Sequence, residues 1–181
     1  MKTTSFKNSY DRLLKFLVIV FIATSFVACK QNTSATSNAT GEDYTSEMTK
    51  SDKKKYKDTS GNVVYEVKYK SDGFKLRTAN SDLLWKVKLY PEKIKISDNE
   101  ENEHPYEIKL IGILASKLVK DDKELARLKM ESGNAIITYK NGDEETSFKA
   151  YYSSTLLINE IDEIAADQKD IIIRELKAKG Y

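Results

Sequence analysis

Apolar positions recur along residues 63–149 at a nearly constant spacing. An apolar residue precedes a lysine five times, at intervals of 20, 21, 20 and 20 residues. A second apolar position follows each of the first four after nine or ten residues, and turn formers such as Gly73 and Pro91 lie between the two. The first set is Val67, Val87, Ile108, Leu128 and Phe148, and the second is Leu76, Ile96, Leu118 and Ile137.

Within the first segments of the repeat, each of which we call an arm, apolar and charged residues alternate. Tyr65 and Val67 point one way while Glu66 and Lys68 point the other, which is typical of a strand with one buried face. Turn residues between paired arms predict hairpins. A single hairpin is marginally stable, so the repeats must share one sheet to bury their common face. The pattern therefore predicts a mainly β fold of eight or nine strands. Its form is an antiparallel meander of about four ~20-residue hairpin repeats, building a curved sheet or partly open barrel.

The pattern changes period after the last arm, FKAYY. Leu157, Ile161 and Ile164, and then Ile172 and Leu176, recur at helical spacing. Residues 153–181 are therefore predicted to form a C-terminal amphipathic helix, either kinked or divided in two, packed on the sheet. A helix lying on a membrane is the weaker alternative, because the many acids of this segment would be repelled by anionic lipid.

The chain begins with a different pattern, a basic stretch followed by the uncharged run FLVIVFIATSFVA at residues 16–28. This order predicts a secretory signal peptide over residues 1–28. Thirteen helical residues fall short of the ~30 Å hydrocarbon core, which disfavours a permanent span. An ordinary signal peptide and an uncleaved anchor remain the alternatives.

The run ends in FVAC, and Cys29 is the only cysteine. Val27, Ala28 and Cys29 resemble the lipobox of bacterial lipoproteins, although Phe26 replaces the usual Leu. The resemblance implies that Cys29 becomes the N-terminus and carries fatty acyl groups such as palmitate. More than one acyl chain gives stable anchoring. We therefore expect a membrane-anchored protein of the cell envelope, in the outer membrane if the host has one.

Residues 29–60 contain few bulky apolar groups, so they are predicted to form the lipidated N-terminus and a flexible linker, followed by the β-repeat domain at 61–152. Residues 1–28 carry four bases and one acid, so their removal lowers the net charge from +2 to about −1. The basicity of the whole chain therefore gives no argument for a nucleic-acid partner.

The repeat arms also resemble a known group. Y-x-V-K…D-G-F-K-L-R and L-W-K-V-K…K-I-K-I-S-D, closed by a helix, look similar to the tubby and LURP-one group, which includes the phospholipid scramblases. The likeness covers residues 63–164 and implies a β-barrel around a C-terminal helix. That group has twelve strands and a wholly apolar helix, so the predicted strand count and the amphipathic helix both depart from it. Some members bind lipids, but no binding residue matches here.

One set of charged residues shares a phase in the repeat and is a candidate site for an anionic ligand. The sequence favours an ordinary solvated face over such a site, because Glu66, Lys86, Glu107 and Arg127, two residues earlier, alternate in sign and would form stabilising cross-strand pairs. The candidate stripe consists of Lys68, Lys88, Lys109, Lys129 and Lys149.

Signals for catalysis are weak. The acidic segment SDNEENEH at 97–104 lacks the spacing of an EF-hand loop, and His104, the only histidine, has no companion for a zinc site. No nucleophile elbow, P-loop or dinucleotide motif occurs. We expect no enzyme, metal or cofactor.

The sequence thus predicts a lipid-anchored envelope protein that presents a small non-catalytic β domain. Its function would be binding of lipid, glycan or another anionic envelope ligand. The alternative is an accessory or interaction subunit of an envelope complex.

Overall fold

A computed structural model of the chain describes residues 44–140 and 145–181. These residues form one open antiparallel sheet of eleven strands in chain order, followed by two short helices. The predicted mainly β meander with a C-terminal helical segment is confirmed, whereas the expected eight or nine strands were too few. The strands are β1 (Thr45–Lys50), β2 (Lys53–Lys57), β3 (Val63–Lys70), β4 (Gly73–Thr78), β5 (Leu83–Tyr90), β6 (Lys93–Ser97), β7 (Tyr106–Gly112), β8 (Ala115–Lys120), β9 (Lys123–Glu131), β10 (Asn134–Tyr139) and β11 (Glu145–Lys149).

The twenty-residue repeat has a simple structural meaning. Each of its first four apolar positions lies directly opposite the apolar position that follows it, in the partner strand of the same hairpin. All eight side chains are at most 1% exposed. One buried cross-strand pair per hairpin therefore holds the inner face of the sheet together. The pairs are Val67 with Leu76, Val87 with Ile96, Ile108 with Leu118, and Leu128 with Ile137.

The sheet begins earlier than the sequence indicated. β1 and β2 lie within residues 29–60, so the linker prediction is wrong from Thr45 onward. Few apolar residues are needed there, because β2 bonds to β3 along its backbone and Tyr56 is completely buried. The predicted signal peptide and Cys29 lie outside the described residues.

The C-terminal segment divides into two, a 3-10 helix (Ser154–Glu160) and the helix α1 (Ala166–Ala178). Its apolar side chains are buried against the inner face, and Leu157, Ile161 and Leu176 are fully enclosed. α1 ends in a Schellman arrangement, in which Gly180 takes a positive φ of 90° and the Tyr181 N–H bonds to the Leu176 carbonyl.

Gly73 shows why one turn position requires glycine. It starts β4 with a φ of 155°, and a Cβ placed there would lie 1.9 Å from the carbonyl oxygen of Val87 in β5. A side chain would therefore separate two paired strands.

Within the described part of the chain, no helix combines the length and apolarity that crossing a membrane requires.

Candidate functional site

A buried carboxylate fixes α1 to the inner face of the sheet. Glu175 is 1% exposed and accepts hydrogen bonds from Lys54 Nζ at 2.7 Å, the Tyr56 hydroxyl at 2.5 Å and the Tyr69 hydroxyl at 2.6 Å. Lys54 is the one charged residue of β2 that shares the inner face with Tyr56. The three donors come from two adjacent strands, so they hold one turn of α1 over β2 and β3.

Further hydrogen bonds connect side chains of the sheet to the C-terminal segment. Asp167 accepts from the hydroxyls of Tyr44 at 3.0 Å and Tyr65 at 2.6 Å. The Trp85 indole N–H donates to Gln168 at 2.7 Å. At the far side of the sheet the Tyr139 hydroxyl donates to Glu160 at 2.6 Å. Side chains preceding β1 and from β10 thus reach the same short segment, which means that the sheet curls around it.

The electrostatics of this inner cluster favour a structural role. Burial and the neighbouring Glu175 raise the pKa of both Tyr56 and Tyr69. Burial and the hydrogen bond to Asp167 raise the pKa of Tyr65 to about 12. The phenols are therefore protonated donors at neutral pH, and Glu175 and Asp167 accept three hydrogen bonds each. Ile171, Ile172 and Leu176 of α1 belong to the buried core, so these hydrogen bonds serve to hold a packed helix on the sheet.

The outer face of the sheet carries two rows of like charges. In the first row, Lys53, Lys68, Lys75 and Lys86 lie directly opposite one another across β2 to β5. In the second row, Lys93, Lys109, Lys117 and Arg127 do the same across β6 to β9. At a strand spacing of about 4.8 Å, each row spans roughly 15 Å.

A third cross-strand pair joins the two rows. Lys88 lies opposite Lys95, two residues beyond Lys86 on β5 and two residues beyond Lys93 on β6. The result is one continuous oblique strip of cations, hereafter the cation band. It consists of Lys53, Lys68, Lys75, Lys86, Lys88, Lys95, Lys93, Lys109, Lys117 and Arg127.

The register explains where the predicted stripe falls. From each lysine of the stripe to the next, the position moves two residues along the strand. Lys88, for example, lies two residues beyond Lys86, the residue of β5 that is in the same cross-strand row as Lys68. The stripe therefore runs obliquely rather than straight across the strands. Lys68, Lys88 and Lys109 belong to the cation band. Lys129 lies opposite Ala115 and Ile136, and Lys149 lies opposite Asn134. The other band members escaped sequence analysis because cross-strand register is needed to find them.

Acids offset part of this charge. Glu107 contacts Lys93 at 3.4 Å, Lys95 at 2.9 Å and Lys109 at 2.6 Å, so three lysines share one carboxylate. Burial alone would raise the pKa of Glu107, but hydrogen bonds from Lys109 and Lys95 lower it to about 2. Glu66 pairs with Lys53, and Glu124 pairs with Arg127. Among residues 44–140 and 145–181, no ion pair involves Lys68.

The acidic segment and His104 have ordinary partners. Glu100 bonds to Lys75 and Arg77 and thereby lies over the first row. The ring of His104 is exposed and bonds to Asp121 at 2.8 Å, which raises the pKa of the imidazole. The described residues contain no group of three or more acids, histidines or cysteines arranged to hold a metal ion.

Comparison of the chain with models of protein families, with curated proteins and with solved structures finds no match.

Proposed function

We propose that this protein is a lipid-anchored cell-envelope protein whose β domain is a non-catalytic binding module for an anionic envelope ligand. The anchor rests on the lipobox resemblance at Cys29, and the binding role rests on the cation band.

The single observation that supports binding is the direct opposition of lysines across neighbouring strands. Like charges in directly opposed positions destabilise a sheet. A merely solvated face avoids this by placing acids opposite bases. Here Lys68 has lysines on both sides. Summed over the two rows, the charges create a positive potential that attracts anions.

The shape of the band favours a flexible ligand. Because the sheet curls around the C-terminal segment, its outer face is convex. A flat membrane touches a convex surface over only a small part of the band, whereas a flexible anionic polymer such as an acidic glycan follows it across eight strands. The ligand that fits best is therefore a linear polyanion.

Dextran sulfate, with uncharged dextran as the control, tests this function by calorimetry on the mature chain in a non-ionic detergent. We expect binding that weakens severalfold in Lys68→Gln/Lys86→Gln and shows a smaller dependence on salt, because fewer counterions are released. The control variant Lys123→Gln/Lys177→Gln makes the same change in net charge outside the band. Equal weakening in both double variants, or no binding at all, contradicts the proposal.

The anchor has a separate test. Intact-mass spectrometry of the protein from its native host is expected to show a chain that starts at an acylated Cys29. A chain that retains Met1, or a product without lipid, contradicts the assignment.

A second candidate function, as an accessory subunit of an envelope complex, draws support from the two edges of the sheet. All six residues of β1 and all five of β11 are exposed, so both edge strands are open to another chain. Affinity purification from a detergent extract would yield a stoichiometric partner in this case. Substituting proline for Thr146 in β11 should release a partner bound at that edge, and Thr49→Pro should release one bound at the edge formed by β1.

A further inference from the structure

The turn between β7 and β8 exposes a run of aliphatic side chains. Leu110, Ile111, Ile113 and Leu114 are 37%, 41%, 94% and 51% exposed. Only Gly112 interrupts the run, and we call residues 110–114 the apolar tip. Consecutive exposed apolar residues at a turn are unfavourable in water unless a function retains them.

Other apolar surface continues the tip. A groove of about 340 Å³ adjoins it, lined by Leu114, Met130, Ala150 and Tyr151 among others. Tyr151 is 96% exposed. Tyrosine is enriched where a protein meets the boundary between lipid and water, because its ring is apolar and its hydroxyl is polar.

Cations surround the base of this apolar surface. Lys109 and Lys117 form the last charged cross-strand pair before the turn, and Lys129 lies opposite Ala115 at the start of β8. Four acids lie nearby. Glu92 lies in the turn before β6, and Glu131, the last residue of β9, pairs with Lys129 at 2.9 Å. Glu124 is shared by Lys117 and Arg127, and Glu107 is shared by Lys93, Lys95 and Lys109. The six cations of these pairs still outnumber the four acids, and this excess of positive charge complements an anionic lipid surface.

We propose that the apolar tip inserts into the boundary between headgroups and acyl chains of an anionic membrane, while Lys109, Lys117 and Lys129 contact the headgroups. An aliphatic tip above a ring of lysines matches the layered chemistry of that boundary, where apolar groups go deep and cations stay at the level of phosphate. The cation band then extends from the membrane surface along the outer face. This inference depends on the proposed function only for bringing the domain to a membrane.

The position of the anchor permits this orientation. The tip follows an odd-numbered strand, whereas Tyr44 precedes one, so the chain enters the sheet at the opposite end. The fifteen residues from Cys29 to Tyr44 reach at most ~50 Å when extended. The sheet is only about 25 Å high, at ~3.3 Å for each strand residue. An anchored domain is therefore free to turn either end toward the lipid.

Tryptophan placed at the tip reports its depth. Ile113→Trp is compared with Ser60→Trp, which lies in the exposed turn between β2 and β3 at the other end of the sheet. The mature chain is bound to vesicles of phosphatidylcholine and phosphatidylglycerol with brominated acyl chains, and the vesicle-bound fraction is isolated by flotation. Trp85 gives the same background in both variants. We expect quenching and a blue shift at position 113, and neither at position 60.

Two further variants test whether membrane insertion is specific to the apolar tip or a property of any exposed apolar residue. Leu114→Asp in the Ile113→Trp chain should abolish most of the quenching. The matched change Leu125→Asp, at another exposed leucine, should leave it intact. Vesicles without phosphatidylglycerol should also quench less, because the lysines lose their partner.

An unquenched position 113 in vesicle-bound protein overturns the inference, as does equal quenching at both positions or quenching at position 60 alone. A blue shift that requires an added envelope protein rather than lipid also overturns it, in favour of a protein partner. Dextran sulfate binding by the same variants is read separately. Failure at the tip is therefore distinguishable from failure of the polyanion site.

Discussion

The two faces of the sheet follow opposite rules of pairing. On the inner face, each cross-strand neighbour adds to the same buried core, as Val67 does with Leu76. Lysines that reach this side pair with acids of the C-terminal segment, as Lys54 does with Glu175 and Lys120 with Glu163. On the outer face, Lys68 lies between Lys53 and Lys75, although an acid at position 68 would pair favourably with both. The inner face is optimised for stability, whereas the outer face keeps an arrangement that stability alone does not favour.

The difference separates residues that make the fold from residues that serve a ligand. It also implies that substitutions on the two faces differ in both size and sign. The following experiments test that contrast.

Truncation of an inner aliphatic residue should have the largest effect. Leu118 is completely buried opposite Ile108, so Leu118→Ala should lower the free energy of unfolding by about 2–5 kcal/mol in urea denaturation. The matched change Leu125→Ala, at a leucine that is 37% exposed, should cost less than about 0.5 kcal/mol. Similar losses at both positions would remove the contrast between the faces.

Neutralising the inner carboxylate should have the next largest effect. Glu175→Gln keeps an acceptor for the tyrosine hydroxyls but leaves Lys54 without a counter-charge, and we expect a loss of about 1–3 kcal/mol. Glu131→Gln, at an exposed residue that pairs with Lys129, should change stability by about 0–1 kcal/mol. Equal effects would mean that Glu175 does not fix α1.

Alkaline pH should lower the free energy of unfolding through the tyrosines of the inner face. The pKa values of Tyr56, Tyr65 and Tyr69 are raised in the folded state, and that of unfolded tyrosine is about 10. A raised folded-state pKa stabilises the fold below pH 10. This contribution disappears as the pH rises from about 10 toward the folded-state values, because the unfolded chain releases its protons first.

Tyr56→Phe should therefore flatten the fall in stability above pH 10, relative to the original chain, in urea denaturation followed by circular dichroism. Tyr151→Phe, at an exposed tyrosine, is the control and should keep the original slope. Identical slopes in all three chains would contradict the assigned protonation.

Neutralising one outer lysine should have the smallest effect, with the opposite sign. Lys68→Gln removes two like-charge neighbours, so it should raise the free energy of unfolding at low salt, by up to about 0.5 kcal/mol. High salt should diminish the gain because screening weakens the repulsion. The same substitution should weaken binding of dextran sulfate. A destabilised Lys68→Gln variant would show that the band is an ordinary solvated surface.

Much of the fold was predictable because the repeat combines two periods. Alternation assigned Tyr65, Val67 and their equivalents to strands, and the twenty-residue spacing placed Val67 and Leu76 in the two strands of one hairpin. The same reasoning failed at Thr45–Lys57, where β1 and β2 gain stability from backbone pairing and two tyrosines rather than from an apolar run. It also treated the acids of the C-terminal segment as one group, whereas the structure shows that Asp167 among them accepts hydrogen bonds from Tyr44 and Tyr65.

The candidate site was only partly accessible from the sequence. Phase alone grouped Lys68, Lys88 and Lys109, because phase records which face a residue occupies. It could not reveal that Lys75 lies between Lys68 and Lys86, since contact across strands depends on register. The apolar tip is visible in the sequence as LIGIL, but the sequence does not show whether such a turn is buried or exposed to solvent.

By itself, the sequence determined the hairpin repeat from residue 63 onward, the change to helical spacing after it, and the inner and outer sides of the repeat strands, because these depend on residues close together in the chain. Only the tertiary structure decided which charges become neighbours, how the tyrosines hold α1 and which aliphatic residues stay in water. Those outcomes depend on the curvature of the sheet and on contacts between residues up to 130 positions apart, which no local pattern encodes.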